Sequence, residues 1–332
     1  MKIALLHRHT AKDIKQTNAA FPYLAKKGMD VLTFKKFNRI GKMKWIKSFL
    51  WIIYAPFLVE GKGYDVIYCD DSFPFYAGLV KHFCPKSKVV LRLGDIHLLY
   101  YIQGWKYRLL HKLEKWSWRK VDRIIAISKT MAEYLREEVK TPVDVVFDPV
   151  DPKDFKCDAE AESKNIIMFH GTLTKNKGLD IILEAARKLP DYEFVIVGDG
   201  EDCERLAKNK PDNVFMSGWI KPEQLKWHLN IADIGLAIRS KNPGNEFVVT
   251  SPWLQYGVMG IPCIVSRRRV FEDMDYPYQY SNIHDLVFWI NYLIEHKDAK
   301  FGEKWQKYIL KKHDAKKVAY QIWAILEKEG GK

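Results

Sequence analysis

The sequence predicts an α/β fold of two doubly wound parallel-sheet domains, one in each half of the chain. Three observations carry this: a length of 332 residues, short apolar runs alternating with amphipathic helical patterns, and a restart of that alternation near Asn165. At roughly 100–200 residues per domain, the length suits two domains. The β–α alternation calls for parallel sheets covered by helices.

In the first half the expected strands are Ile3–Leu6, Val31–Phe34, Val66–Cys69, Val89–Leu93, Arg123–Ile127 and Val143–Phe147. Amphipathic stretches such as Asn18–Lys27 and Phe75–Phe83 lie between them. In the second half the strands are Ile166–His170, Glu193–Val197, Val214–Met216, Ile234–Ala237 and Cys263–Val265. Helices fit Leu179–Lys188, Glu201–Lys208, Pro222–Ile231 and Pro252–Val258. The stretch Asp148–Lys164 has two prolines, several acids and little apolar periodicity, so it reads as the connection between halves. The expected domains are therefore residues 1–150 and 151–312. Residues 313–332 form a closing helix that can cross back to the first domain.

Composition narrows the class. Hydrophobic residues at 47% supply a real core and argue against disorder. A net charge of +13 favours anionic partners: nucleic acid, phospholipid headgroups or phosphorylated substrates. No nucleic-acid-binding signature accompanies the charge, so nucleic acid is not the expected partner. The five cysteines are scattered, odd in number and form no CxxC pair. This implies a reducing compartment, without a disulfide framework or a zinc site. The N-terminal apolar run is too short for a signal peptide. No segment reaches the ~18 apolar residues of a membrane span; Trp45–Val59 comes nearest and is interrupted by Lys47 and Pro56. The expected location is cytoplasmic, with peripheral attachment to the inner face of the cell membrane.

Three segments of the second half carry chemistry. In Phe169–Leu189 a strand ends at His170, a turn with Gly171, Thr172, Lys175, Lys177 and Gly178 follows, and a helix begins. Glycines let backbone N–H groups approach an oxyanion, the helix N-terminus favours negative charge, and the lysines add point charges. These residues form a candidate diphosphate cradle; alone, they leave open an ordinary β–α turn with solvated lysines. In Phe194–Leu206 the turn Gly198-Asp199-Gly200 follows a buried strand but lacks the third glycine of the dinucleotide fingerprint. In Ala232–Ser266 a strand leads into a polar loop with Arg239, Lys241 and Glu246. A helix carrying Gln255 then runs to Gly260 and Pro262. Open α/β sheets bind ligands beyond the carboxyl ends of their strands, where Glu246 and Gln255 would lie.

In order and spacing these segments resemble the C-terminal domain of group-1 (family 4) GT-B glycosyltransferases. Gly171, Lys177 and Gly178 match the family's first turn, Gly198 and Gly200 its second, and Gly260, Pro262 and Ser266 its closing stretch. The first half is similar to the family through MKIALLH, GYDVIYCDD and VDRIIAISKTMAEYL. The chain departs from the pattern at Thr172, where the family has Arg, and at Gln255, where it has Glu. Glu246 lies one residue further away than the family spacing, and His7-Arg8-His9-Thr10 replaces a glycine pair.

The resemblance implies two Rossmann-like domains facing a cleft and transfer of a sugar from a nucleotide-sugar donor to a glycan or lipid-linked acceptor. It implies retention of anomeric configuration, no metal and no cofactor. Lys177, supported by Lys175, Gly171, Thr172 and Arg239, would hold the donor diphosphate. Gly198, Gly200, Trp219, Ile220 and Gln255 would border the nucleoside. Glu246, with Asp95 and His97 from the LRLGDIHLLY segment, would face the donor sugar; a capping Asp and a surface His remain the alternative reading. Two alternatives to the enzyme stand beside this: a catalytically degenerate binding module and an epimerase on the same fold.

Two stretches of the first half point to an anionic membrane surface. Lys42–Val59 places Lys42, Lys44 and Lys47 beside Trp45, Phe49 and Trp51, and Trp105–Lys120 interleaves tryptophans with six basic residues. Lysines at a helix N-terminus oppose the macrodipole, so helix stability does not explain them. Core helices with a solvated basic face read equally well from sequence.

Overall fold

The structure, a computed structural model, describes residues 1–7, 18–33, 44–70, 75–96, 99, 105–156, 165–296 and 299–331. It divides into two compact units. Unit 1 holds Met1–Pro149, Asn242–Val248 and Ala315–Lys332; unit 2 holds Val150–Lys241 and Val249–Asp314.

Unit 1 is built on six parallel strands in the order β2-β1-β3-β4-β5-β6. They are β1 (Ile3–His7), β2 (Asp30–Thr33), β3 (Val66–Asp70), β4 (Lys88–Leu93), β5 (Arg123–Ala126) and β6 (Val143–Val145). Strand side chains alternate strictly between two cores, as a pleated strand requires. Ala4, Leu6, Ile67, Cys69, Val89 and Leu91 enter one; Ile3, Leu5, Val66, Tyr68 and Val90 enter the other. The first core is covered by α2 (Lys44–Val59), α3 (Phe75–Phe83), α4 (Trp105–Lys120) and α5 (Lys129–Glu138). Helix α1 (Phe21–Ala25) and the last helix, α13 (Ala315–Glu329), cover the second. Val318, Ile322 and Leu326 of α13 are fully or almost fully buried there, which explains why the closing helix belongs to this unit. Arg123 clamps it, pairing with Glu329 at 2.5 Å and Asp144 at 2.7 Å.

Unit 2 repeats the plan with the order β12-β11-β10-β7-β8-β9, again all parallel. The strands are β7 (Ile166–His170), β8 (Glu193–Val197), β9 (Val214–Gly218), β10 (Ile234–Ala237), β11 (Cys263–Ser266) and β12 (Gln279–Tyr280). Helices α6 (Asp180–Lys188), α7 (Cys203–Asn209), α8 (Leu225–Asn230), α9 (Ser251–Met259), α10 (Arg269–Glu272), α11 (Ile283–His296) and α12 (Ala299–Lys312) complete it. The strand order reverses direction between β7 and β10, and such a switch point opens a crevice at the carboxyl ends of the strands.

Most expected elements match the observed ones to within a few residues. Strand β12 and helices α11 and α12 were not anticipated. The expected second domain, 151–312, also lacks Asn242–Val248, which packs with unit 1. There Ser128 Oγ donates to the Phe247 carbonyl at 2.6 Å, and the Phe247 ring lies 5.1 Å from that of Tyr134. Trp51 and Trp118, in the two stretches that read equally well as membrane-facing or as core, are completely buried core residues. Among the described residues no helix is long and apolar enough to cross a membrane.

Candidate functional site

A cavity of about 290 Å³ sits in unit 2 at the switch point. Phe169 and His170 at the end of β7 and Ala237, Ile238 and Arg239 at the end of β10 line it, together with Gly171, Thr172, Lys177 and Leu225. Thr250, Ser251, Pro252 and Gln255 from the start of α9 close it.

Local sequence explains why these groups meet. After β7 the chain makes one short 3-10 turn, Lys175–Lys177, ended by Gly178 at φ +68°, a left-handed cap that glycine adopts without strain. That stop brings Lys177 back over the strand end. Its ammonium lies 5.9 Å from the centre of the Phe169 ring, and a Cβ on Gly171 would sit 3.3 Å from its Nζ. At the end of β10, Arg239 is fixed through its backbone. Its N–H donates to Ser266 Oγ at 2.7 Å, and the Ser266 hydroxyl donates back to its carbonyl at 2.9 Å. Helix α9 begins with Thr250 as N-cap, its hydroxyl accepting from the Trp253 N–H, and Pro252 in the first turn. The helix therefore directs its positive end into the cavity.

The electrostatics of the cavity are cationic. Burial, reinforced by the Arg239 guanidinium, pulls the Lys177 ammonium down to about 8. Burial, reinforced by the Lys177 charge, pulls the His170 imidazole down to about 3, so it stays neutral. Its Nε2 is buried without a hydrogen-bond partner among the described residues. Among the described residues no carboxylate lines the cavity. Two cations, a helix N-terminus and no acid form an arrangement that a phosphate group would satisfy.

Of the residues expected at a diphosphate, Gly171, Thr172, Lys177 and Arg239 line the cavity, and Gln255, expected at the nucleoside, joins them. Lys175 is exposed and does not line it. Gly198 and Gly200 do not line it either. They pack beneath its rim, where Gly171 donates to the Val197 carbonyl at 2.9 Å and Leu173 to that of Asp199 at 2.9 Å. The glycines answer to this close approach of two loops. A Cβ on Gly198 would fall 2.0 Å from the Gly171 carbonyl oxygen, and one on Gly200 would fall 2.1 Å from that of Leu173. Gly198 also donates to the Gly218 carbonyl, which brings the exposed Trp219 and its neighbour Ile220 to the same end of the sheet. We expect Gly198→Ala to force the two loops apart, destabilise unit 2 by about 1–3 kcal/mol and displace Gly171 from the cavity. Chemical denaturation and ligand titration of that variant check this.

In unit 1, Asp95 is half-buried in the segment that follows β4. His97 and the basic stretch Arg8 to Lys15 lie outside the described residues. Glu246 lies in the 3-10 segment Pro243–Phe247, which clusters with unit 1. The charges at the strand ends of unit 1 satisfy one another: Arg92 pairs with Asp70 at 3.1 Å and with Asp148 at 2.5 Å. Sequence reasoning missed His170, Leu225, Thr250 and Ser251. The Thr-Ser-Pro run is a helix-start signal that points to Thr250 as the N-cap of α9, one residue before the helix begins at Ser251.

Two family models match in tandem: Glycosyltransferase Family 4 over residues 11–154 and Glycosyl transferases group 1 over residues 150–274. With two parallel six-stranded sheets and a cationic cavity at a switch point, the class is that of GT-B glycosyltransferases, and the chain belongs to group 1 of that class. Among particular proteins, it is similar to an uncharacterized glycosyltransferase of Methanocaldococcus jannaschii. The two are 26% identical over 202 residues, covering 52% of this chain and 50% of that protein. The chain spans about half or less of the curated relatives it matches. Its fold is similar to sucrose-phosphate synthase of Thermosynechococcus elongatus, with a TM-score of 0.78 and 16% identity over 99% of this chain and 98% of that one. It is also similar to Anabaena Alr3699/HepE, solved with UDP and glucose, with a TM-score of 0.73 and 15% identity over 98% and 99% of the two chains.

Proposed function

We propose that this chain transfers a sugar from a nucleoside-diphosphate donor, held in unit 2, to a glycan or lipid-linked acceptor, with retention of anomeric configuration. The observation that carries the donor reading is the meeting of Lys177 and Arg239 at the α9 N-terminus in a cavity that no carboxylate among the described residues lines. A nucleotide sugar already has a good leaving group. The barrier falls when negative charge on the departing diphosphate is met by preorganised cations and N–H groups. Lys177 and Arg239 are set for that role, with Arg239 supplying the cation that the family places at Thr172. The Gln255 amide faces the same cavity and can hydrogen-bond a ribose hydroxyl or a phosphate oxygen. Gly198, Gly200, Trp219 and Ile220 border the nucleoside in this reading, and Asp95, His97 and Glu246 serve the sugar. Retention rests on the family alone, and NMR of the product's anomeric proton tests it.

The decisive test is a thermal-shift series with UDP, GDP and ADP followed by transfer assays with the corresponding sugars. A ligand bound only to the folded state raises apparent stability as RT ln(1 + [L]/Kd). One diphosphate should raise the melting temperature. No shift with any of them would remove the reading.

The site should also titrate. Lys177 binds an anion as the ammonium, so diphosphate affinity should be full below pH about 8 and weaken as pH rises through that value. Stability should move the other way. The unfolded lysine holds its proton up to about 10.5, so between about 8 and 10.5 the unfolded chain binds more protons and the apo protein gains stability with pH. Calorimetric titration of the diphosphate across this range, with thermal melts of the apo protein, measures both trends. An affinity that is flat with pH through 8 would contradict the assignment of Lys177.

A further inference from the structure

The outer face of the α2–α3–α4 layer in unit 1 is apolar where a helix turned to water is normally polar. Helix α3 packs between α2 and α4, and all three bury their inner sides on one core. Outward, α2 exposes Ile53, Tyr54 and Phe57, with Phe57 54% exposed. The Phe57 ring lies 6.0 Å from that of Phe83, itself exposed at the end of α3. On α4, Trp105, Leu109 and Leu113 recur every fourth residue as an exposed stripe, with Trp105 at 71%. Arg108 and Lys112 are exposed one helical position to the side. Apolar exposure gathered on neighbouring helices in this way marks an interaction surface.

The charges say what covers it. Helices α2 and α3 contain no Asp or Glu, and the one carboxylate of α4, Glu114, is completely buried. Nearby, Asp122 pairs with Lys81 at 2.8 Å and Glu138 pairs with Lys115, while Glu60, one residue past the end of α2, is exposed. An apolar stripe beside basic side chains, with Trp and Tyr among its members and no free acid on its helices, matches the boundary of an anionic bilayer. There acyl chains accept the stripe, the headgroups accept the bases, and aromatic rings sit between. We infer that unit 1 docks through this face on an anionic membrane surface. The use of such docking, reaching a lipid-linked acceptor, rests on the proposed function, whereas the geometry does not.

The test is co-sedimentation of the full chain with phosphatidylcholine vesicles, with and without phosphatidylglycerol. Wild-type protein should pellet only with the anionic vesicles, and salt should weaken binding. Leu109→Gln with Leu113→Gln, and separately Arg108→Glu with Lys112→Glu, should each lower partitioning at least about tenfold. All four side chains point to solvent, and unchanged melts would show that both variants fold. Lys177→Ala should pellet like wild type, and both surface variants should keep their diphosphate-induced thermal shift, so failure of docking and failure of the donor site are read separately. Wild type that stays in the supernatant, or pellets equally with both vesicle types, overturns the inference. So does a dimer in light scattering that the leucine substitutions dissolve, because a second copy would then cover the face.

Discussion

Replacing Lys177 with alanine is expected to lower kcat/KM for sugar transfer roughly 10²–10³-fold and to abolish the thermal shift caused by the donor's nucleoside diphosphate. The size follows from the place of the charge. The ammonium is largely removed from water beside Arg239, and a charge-assisted contact in such a site contributes far more than one in bulk solvent. The same variant should be no less stable than wild type at neutral pH. Its cation is destabilised by burial and by a like charge, so its removal relieves the folded state. Lost activity with retained stability is the signature of a site residue rather than a structural one. Activity within a fewfold of wild type would place the diphosphate elsewhere.

Trp253→Ala should give the largest loss of stability. Trp253 lies in the first turn of the helix whose N-terminus closes the cavity, and its ring is fully buried. Phe271, Tyr276, Trp305 and His313 surround it with ring centres 5.3–5.9 Å away, tying α9 to α10 and α12. Truncation leaves a cavity the neighbours cannot fill, at a cost of about 3–5 kcal/mol. For a unit of this size that is roughly 10 °C in melting temperature. Differential scanning calorimetry should show the change in the transition that diphosphate raises, since the cavity and Trp253 share unit 2. A shift of a degree or two would mean that the aromatic cluster repacks. Donor affinity measured below the new melting point should fall far less than in Lys177→Ala.

The strands and most helices were legible because their signals are local. The run over 166–169 is apolar at every position and sits between Asn165 and the turn at Gly171, and nothing distant is needed to read it as a buried strand. Lys177 was legible for a related reason: a lysine one residue before a left-handed glycine, just past a strand end, has few places to go. Arg239 against Lys175 was a different matter. Both are cations near a turn, and only the pairing of β10 with β7 puts one of them in the cavity and leaves the other in water. His170 looked like the last residue of a strand and nothing more. Its burial beside Lys177 is a property of the assembled sheet.

The amphipathic stretches of unit 1 teach the same lesson in reverse. Composition alone leaves Trp51 and Trp118 open between surface and core, and packing buries them while turning Phe57 and Leu109 outward. Periodicity states that a helix has an apolar side; it does not say which side meets the sheet when both are apolar. By itself, then, the order of residues determined the two-sheet plan, the turn that delivers Lys177 and the family. Tertiary structure decided which second cation joins it, which unit receives Asn242–Val248 and which aromatics face outward. The physical reason is range: hydrogen-bonded turns and side-chain periodicity act over a few residues, whereas strand pairing and burial join segments far apart in the chain.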